Sequence, residues 1–385
     1  MTEKLYYLDS HMWEFSARVL ECRETKSGFG IILDRTAFFP EGGGQLADTG
    51  TIGDVFVKDV HEKDGEILHY TDSPLAPGLE LPCRIDREQR LRRMQNHSGE
   101  HIISGLVNRK YGFDNVGFHM GSSFMTIDFS GELSWDELTE IEYEANLTVR
   151  QNVPIRTWFP DETELKTLSY RSKLELTENV RIVEVEGVDR CACCAPHVSL
   201  TGEVGVIKIL DCMRHRGGVR ISLVCGMDAL DDYRKRQTGV TAVSQALSAK
   251  RDDIAAAVQR ILNEQQQLKE KNAALSMAYI SLIAEAQSGT DGNICLFENG
   301  LDEVAQRELV NRLMEKCGGM AAVFCGSDED GWRYIIGSLH EDLRRGTKLI
   351  NAAISGRGGG TAQMIQGRSS GRREDIQNNM KTLHV

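Results

Sequence analysis

Two stretches set the reading of this chain: Asn96-His97-Ser98-Gly99-Glu100-His101-Ile102-Ile103 and Asp189-Arg190-Cys191-Ala192-Cys193-Cys194-Ala195-Pro196-His197-Val198. In the first, His97 and His101 stand at i and i+4, which on a helix brings both imidazoles to one face. In the second, Cys193 and His197 repeat that separation and offer a thiolate and a third imidazole. Neither half decides anything alone. Helix histidines are common at surfaces and caps, and cysteine often serves as a small buried hydrophobe. Together they supply nitrogen and sulfur donors of the kind that hold Zn²⁺ tetrahedrally. Cys191 and Cys194 stand as alternative thiols.

Working outward from His97, Asp86 reads as a helix N-cap, with Gln89 three residues on completing a capping box. Arg87, Arg90, Arg92 and Arg93 crowd the start of that helix, and Ile102, Ile103, Leu106 and Val107 give it a buried side. Arginines bordering a metal site suit phosphate, so Arg90, Arg92 and Arg93 are candidate nucleic-acid contacts. A strand at 122–129, an acidic amphipathic helix over 135–151, a strand at 180–185 leading into the cysteine cluster, and strands at 204–210 and 219–224 complete a domain over 86–235.

Residues 1–85 read as β, with strand patterns at 16–22, 28–33, 55–60 and 66–70, and a small barrel is the expected outcome. Between these strands lies Phe39-Pro40-Glu41-Gly42-Gly43-Gly44-Gln45. Three successive glycines cost backbone entropy. They form either a plain turn or a loop whose bare backbone lets a ligand approach, with Gln45 supplying a directional amide. No Lys-Ser/Thr follows, so this is not a phosphate-binding P-loop.

Past residue 235 the pattern changes. Ile254, Val258, Ile261, Gln265, Leu268, Asn272, Leu275 and Tyr279 form a heptad seam, expected as a helical hairpin or dimerising coil over 236–288. Residues 289–385 return to α/β character, with strands at 293–297, 321–324 and 332–336. Near the end come Ser355-Gly356-Arg357-Gly358-Gly359-Gly360 and Gly367-Arg368. From Glu341 onward lysines and arginines outnumber acids by eight to four. Arg357, Gly358, Gly359, Gly360 and Arg368 are therefore candidate nucleic-acid contacts.

At 385 residues the chain is long enough for two to four domains. A net charge of −12 argues against a wholly basic nucleic-acid binder and leaves room for a local basic face. The absence of an 18-residue apolar run, or of an apolar stretch behind Met1, points away from a membrane. Ten cysteines, three of them within 191–194, fit thiolate ligation in a reducing cytoplasm better than a disulfide framework.

The succession Phe39-Pro40-Glu41-Gly42-Gly43-Gly44-Gln45, His97-x3-His101, then Cys193-x3-His197-Val198 with Thr201-Gly202-Glu203-Val204-Gly205 resembles the alanyl-tRNA editing family (AlaX). These are relatives of the editing domain of alanyl-tRNA synthetase. The glycine-rich segment from Ser355 to Gly367 is similar to the C-terminal domain shared by alanyl-tRNA synthetases and DHH-type phosphoesterases. The order of motifs matches the long, freestanding editing proteins, with no aminoacylation module expected ahead of them.

The resemblance implies an α/β multidomain fold: an N-terminal barrel, an α+β zinc-containing editing domain, a long helical segment, and a glycine-rich tRNA-binding or dimerisation domain. It also implies hydrolysis of alanine tRNA mischarged with serine, or with glycine. Zn²⁺ would sit on His97, His101, Cys193 and His197, and the substrate's amino acid would lie near Gly42, Gly43, Gly44 and Gln45. Ser98 stands where the family often has Thr, which makes it a candidate for the serine hydroxyl. Cys194, Ala195 and Pro196 replace the middle of the family's Cys-Gly-Gly-Thr-His, while register with Val198 and Thr201-Gly202 favours Cys193 as the thiol. The order His-x-x-Glu-His, also that of inverted zincins, makes Glu100 a candidate general base. Two competing readings are a non-catalytic, zinc-stabilised RNA-binding protein and a zinc metalloprotease.

Overall fold

Alternating burial builds the first sheet. In Glu66–Thr71 every second side chain is buried, the signature of a strand with one wet face. The computed structural model describes residues 2–26, 28–172 and 180–384, and the chain divides into two units, Met1–Ala242 and Val243–Val385.

The first unit opens with β1 (Glu3–Lys4), β2 (Glu14–Thr25), β3 (Gly28–Leu33), β4 (Arg35–Thr36), β5 (Gly50–Ile52), β6 (Val55–Lys63), β7 (Glu66–Thr71) and β8 (Glu80–Ile85). Short β1 and β4 pair in parallel, while β2-β3-β7-β6-β5-β8 close into a barrel. Its inside is filled by Val19, Ile31, Leu33, Phe38, Ile52, Val57, Val60 and Ile67, all essentially without solvent exposure. A closed sheet leaves no free strand edge.

Helix α1 (Arg87–Tyr111) follows directly. The Asp86 carboxylate caps it by accepting from the Gln89 backbone N–H at 3.0 Å, and Gly112 in the left-handed region ends it. The Gln89 side chain takes a different partner from the one expected of a capping box, accepting from Thr49 of the barrel at 3.1 Å. Every residue from Asn96 to Val107 is buried, so this helix runs through the unit rather than along its surface.

Around α1 lie β9 (Asn115–Met120), β10 (Met125–Phe129), α2 (Trp135–Gln151), β11 (Ile155–Trp158), α3 (Glu162–Thr167), β12 (Ile182–Val185), β13 (Asp189–Ala192), β14 (Ile207–His215) and β15 (Gly218–Cys225). One antiparallel sheet runs β14-β15-β10-β9 and another β11-β12-β13. Ile102, Ile103, Leu106 and Val107 of α1 pack with Ile127, Phe129, Ile141, Ile221 and Leu223 in one core. Helix α4 (Met227–Ala246) leaves this unit.

In the second unit, α5 (Ile254–Ala286) is one 33-residue helix. Then come β16 (Ile294–Phe297), α6 (Glu303–Met314), β17 (Met320–Ser327), β18 (Gly331–Ser338), α7 (Leu343–Ala353), β19 (Gly356–Gly360), β20 (Met364–Ser369) and α8 (Arg373–Thr382). The sheet order is β16-β17-β18-β20-β19. Strand β17 is buried on both faces: Ala321 and Val323 pack towards α5 and α6, and Met320, Ala322 and Phe324 towards α7 and α8.

The glycine run near the end is an edge strand of this sheet. A Cβ on Gly358 would stand 2.2 Å from the Gln366 carbonyl oxygen, so packing alone demands glycine there, while Gly359 faces open space. Among the described residues no helix is long and apolar enough to cross a membrane.

Candidate metal centre

Helix α1 delivers His97 and His101 on one face, and the loop behind β13 delivers Cys193 and His197. All but Cys193 are about 2% exposed. One donor atom from each of the four lies within 4.8 Å of the others. Cys193 Sγ is 3.6 Å from His97 Nε2 and 3.5 Å from His197 Nε2. The spacing of each pair in sequence thus becomes one cluster in space.

What sets the direction of the rings is a second layer of polar groups. His97 Nδ1 meets Gln45 Oε1, His101 Nδ1 meets Asp189 Oδ2, and His197 Nδ1 meets Ser98 Oγ, each at 3.0 Å. With Nδ1 occupied on all three rings, Nε2 is the nitrogen left for a shared centre, the arrangement typical of metal-binding histidines. Asp189 is itself clamped by Arg171, through Nε at 2.7 Å and Nη2 at 2.8 Å.

The electrostatics follow. Burial would raise the Cys193 thiol, but His97, His101 and His197 overcome it and hold the group well below its usual range, favouring thiolate. Burial disfavours charge on Asp189 as well, yet His101 and Arg171 keep its carboxyl low. Burial pushes the Cys191 thiol up to about 11. Cys191 forms a possible donor group with His101 and Asp189. There, however, His101 Nδ1 and the Asp189 carboxylate already engage each other, and Arg171 holds Asp189 too. Cys194 is exposed and lines the cavity beside Gly43, its Sγ 3.4 Å from where a Cβ of Gly43 would be, but it is not one of the clustered donors. Cys193 is the thiol that meets the three imidazoles.

Glu100 sits between the two helix histidines and lines the same cavity of ≈300 Å³. Its Oε1 accepts from Ser104 at 2.7 Å and from Asn115, and its Oε2 lies 3.7 Å from His101 Nε2. The Gln45 amide is fully buried; while its oxygen holds His97, its nitrogen has no hydrogen-bond partner among the described residues.

Three expectations are corrected. Arg90 and Arg93 do not face phosphate. Arg90 is completely enclosed, with Nε 2.8 Å from Asp48 Oδ2 and Nη1 3.0 Å from the Ser10 carbonyl, and Nη2 bonded to Asp48 and Ala37. Arg93 donates to the Ala47 carbonyl and lies 3.7 Å from Asp48 Oδ1. The two arginines pin the loop that carries Gln45 to the helix that carries His97. Arg92 is only partly exposed and pairs with Asp228 at 2.6 Å.

Ser98 does not face a substrate hydroxyl either. It has no exposed surface, holds His197, and accepts from the Val198 N–H at 3.3 Å. Of the glycines, Gly43 lines the cavity, but Gly44 is bare because Phe118 packs on it, where a Cβ would come within 2.7 Å. Both have positive φ, +62° and +82°, which few side chains adopt. Sequence reasoning gave Asp189, Arg171, Arg181, Tyr7 and Phe159 no role, although all five belong to the cavity or to its support. Only Asp189, a carboxylate four residues before Cys193, carried a local signal.

Comparison with known proteins places these features. Residues 180–261 match the family model described as the threonyl and alanyl tRNA synthetase second additional domain. An alanyl-tRNA editing protein, AlaX-L of Pyrococcus horikoshii, is 34% identical over 243 residues, covering 60% of this chain and 59% of that protein. The alanine–tRNA ligase of Methanopyrus kandleri is 29% identical over 95% of this chain but only 42% of the ligase. The chain thus spans less than two thirds of the length of these relatives. The alanyl-tRNA editing protein Aarsd1 of Rattus norvegicus is 25% identical over 96% of this chain and 95% of its own. By sequence, the chain is similar to alanyl-tRNA editing proteins and to part of the alanine–tRNA ligases.

Proposed function

We propose that this chain is a trans-editing hydrolase that removes serine, and glycine, from mischarged alanine tRNA. The observation that carries the reading is the convergence of His97, His101, Cys193 and His197 on one point at the wall of a cavity that the first three line, each ring fixed from behind. Three imidazoles and one thiolate suit a borderline-soft divalent ion, and Zn²⁺ is the one we infer. Held there, it would supply a Lewis acid for ester hydrolysis.

The chain's own groups do the rest. An aminoacyl ester is already activated, so positioning and one proton transfer suffice. Glu100, lining the cavity with its Oε2 towards His101 Nε2, takes a proton from the attacking water. Water oxygen then bonds to the ester carbon, the bond to the ribose oxygen breaks, and that oxygen receives the proton. Ser104 and Asn115 hold the other carboxylate oxygen in place. The spare Gln45 Nε2 donor is the group we assign to the seryl hydroxyl, since a donor left to satisfy separates serine's hydroxymethyl from alanine's methyl; glycine gains nothing from it.

For the tRNA body we propose the second unit. Arg333, Arg368 and Arg357 are in register across β18, β20 and β19; Arg333 is held by Gln306 Oε1 at 2.8 Å and the Leu301 carbonyl at 2.6 Å, which leaves Arg368 and Arg357 directly opposite each other on that face. Like charges set directly opposite repel, and a phosphate between them relieves this. Gly358, Gly359 and Gly360 add bare backbone beside them. The α5 seam, with Val258, Ile261, Leu268 and Leu275 between 41% and 70% exposed, is our candidate surface for a second copy of the chain.

The test is a panel of Ser-tRNA and Gly-tRNA made on alanine tRNA, correctly charged Ala-tRNA, and a peptide substrate. Release of serine and glycine with Ala-tRNA left intact supports the reading. Peptide cleavage would replace it with a metalloprotease, and binding without any hydrolysis would leave a zinc-stabilised RNA-binding protein.

A further inference from the structure

The cavity lined by three of the four donors has a second kind of wall. Tyr7, Phe159 and Arg181 line it together with His97, His101 and Cys193. Arg181 donates to the carbonyls of Cys193 and Ala195, at 3.1 and 2.7 Å, and its guanidinium carbon lies 5.2 Å from the Tyr7 ring centre. Lys4 Nζ approaches the same ring at 5.8 Å. Tyr7 is thus engaged by two cations.

Phe159 follows β11 and meets Tyr7 with centroids 5.3 Å apart and planes at 75°. It is buttressed in this way and still keeps 50% of its surface exposed. A single exposed phenylalanine is ordinary on a protein surface. This one differs because it lines the cavity of the candidate centre, where an uncovered flat ring suits a flat partner.

The substrate class proposed above fixes what that partner is. Transfer RNA carries its amino acid on the ribose of a terminal adenosine, so an adenine hangs from the same sugar as the ester to be cut. With the ester at the four donors, the base has to lie against a nearby wall of the same cavity. We propose that Phe159, braced by Tyr7, is the stacking platform for that terminal adenine. The assignment rests on the editing reading. Stacking on an aromatic face is how proteins commonly hold unpaired bases. Such a contact is made equally before and during the reaction, so it acts on binding more than on turnover.

The test uses the full chain with two readouts. In the first, binding of adenosine 5′-monophosphate is followed by NMR titration for the native protein, Phe159→Ala and Phe159→Trp. Phe159→Ala is expected to weaken binding about 5- to 150-fold, the range that stacking one base contributes, while Phe159→Trp retains it. Uridine 5′-monophosphate, with its smaller face, should bind more weakly than the purine. Native-like binding by Phe159→Ala, or no binding by the native chain, overturns the proposal.

In the second readout, Ser-tRNA hydrolysis by Phe159→Ala should show a raised KM with kcat close to native. A fall in kcat at unchanged KM would show that Phe159 only shapes the site and would overturn the platform. Nucleotide binding as expected without any Ser-tRNA hydrolysis by the native chain would sink the editing reading and leave the base site standing. Hydrolysis with unaltered nucleotide binding in Phe159→Ala would do the reverse.

Discussion

The barrel and the cavity both bury histidine, and they treat it differently. His69, inside the barrel, is fully enclosed with both ring nitrogens used: Nδ1 lies 2.9 Å from the Ile31 carbonyl, and Nε2 lies 2.8 Å from the Thr36 hydroxyl. It has nothing left to offer. His97, His101 and His197 are buried nearly as deeply, but each has only Nδ1 committed to an outer partner, and their second nitrogens gather round one thiol. Burial therefore does not distinguish a structural histidine from a candidate ligand; the fate of the second nitrogen does.

The largest effect should come from breaking the cavity side of this contrast. Cys193→Ala is expected to take the protein from about one zinc per chain to a small fraction of that, and to abolish deacylation. Elemental analysis and the Ser-tRNA assay check this. Full zinc and full activity in that variant would hand the role to Cys191 or Cys194.

Next comes the tie between the regions. Arg90→Met leaves Asp48 buried without its main partner, which should destabilise the first unit by about 3–5 kcal/mol in urea titration. Its salt dependence of tRNA binding should stay native, because this guanidinium never meets solvent.

Asp189→Asn, which keeps shape but loses charge behind His101, should weaken zinc affinity about 10- to 100-fold, read by competition with a chromophoric chelator. Ser98→Ala belongs to the same class with a smaller loss. It should fall equally on Ser-tRNA and Gly-tRNA, whereas a selective loss on Ser-tRNA would return Ser98 to the amino acid pocket.

The smallest effect lies on the barrel side. Burial lowers His69 from 6.5 to about 4. Above 6.5 both folded and unfolded chains hold this ring neutral, so its contribution is intact. Below 6.5 the unfolded chain takes up a proton that the folded barrel refuses, and stability falls as pH drops towards 4. The slope is about 1.4 kcal/mol per pH unit in that window. Comparing urea titrations of the native chain and His69→Gln across it should show the slope only in the native protein, with zinc content equal in both.

How much of this was legible depends on how local the signal was. The Asp86 cap and the i, i+4 histidines are properties of one helix, and they read directly. The pairing of His97 with Cys193 across the chain could be inferred only from donor chemistry and resemblance, since nothing in spacing joins them. The arginine cluster misleads because arginines bordering a metal site suit a phosphate as well as they suit a buried carboxylate such as Asp48. Yet Arg90 and Arg93 precede His97 by seven and four residues, which on a helix puts them on the histidine side. That arithmetic was available. Strand β9 is harder to read because its burial does not follow its apolar residues: Val116 is 63% exposed while Asn115 is buried. The glycine strand β19 has almost no side chains to alternate, so only its partner β20 shows what it is.

Helix α1 is enclosed on every side from Asn96 to Val107. Segments of that kind exchange their amide hydrogens only through the largest openings of a fold, while loops exchange through small local ones. His97 and His101 therefore ride on what should be among the slowest-exchanging backbone of the molecule, whereas Cys193 and His197 ride on a loop. Any loosening of the centre starts from the loop side, with the helix histidines still waiting in place for the other two donors to return.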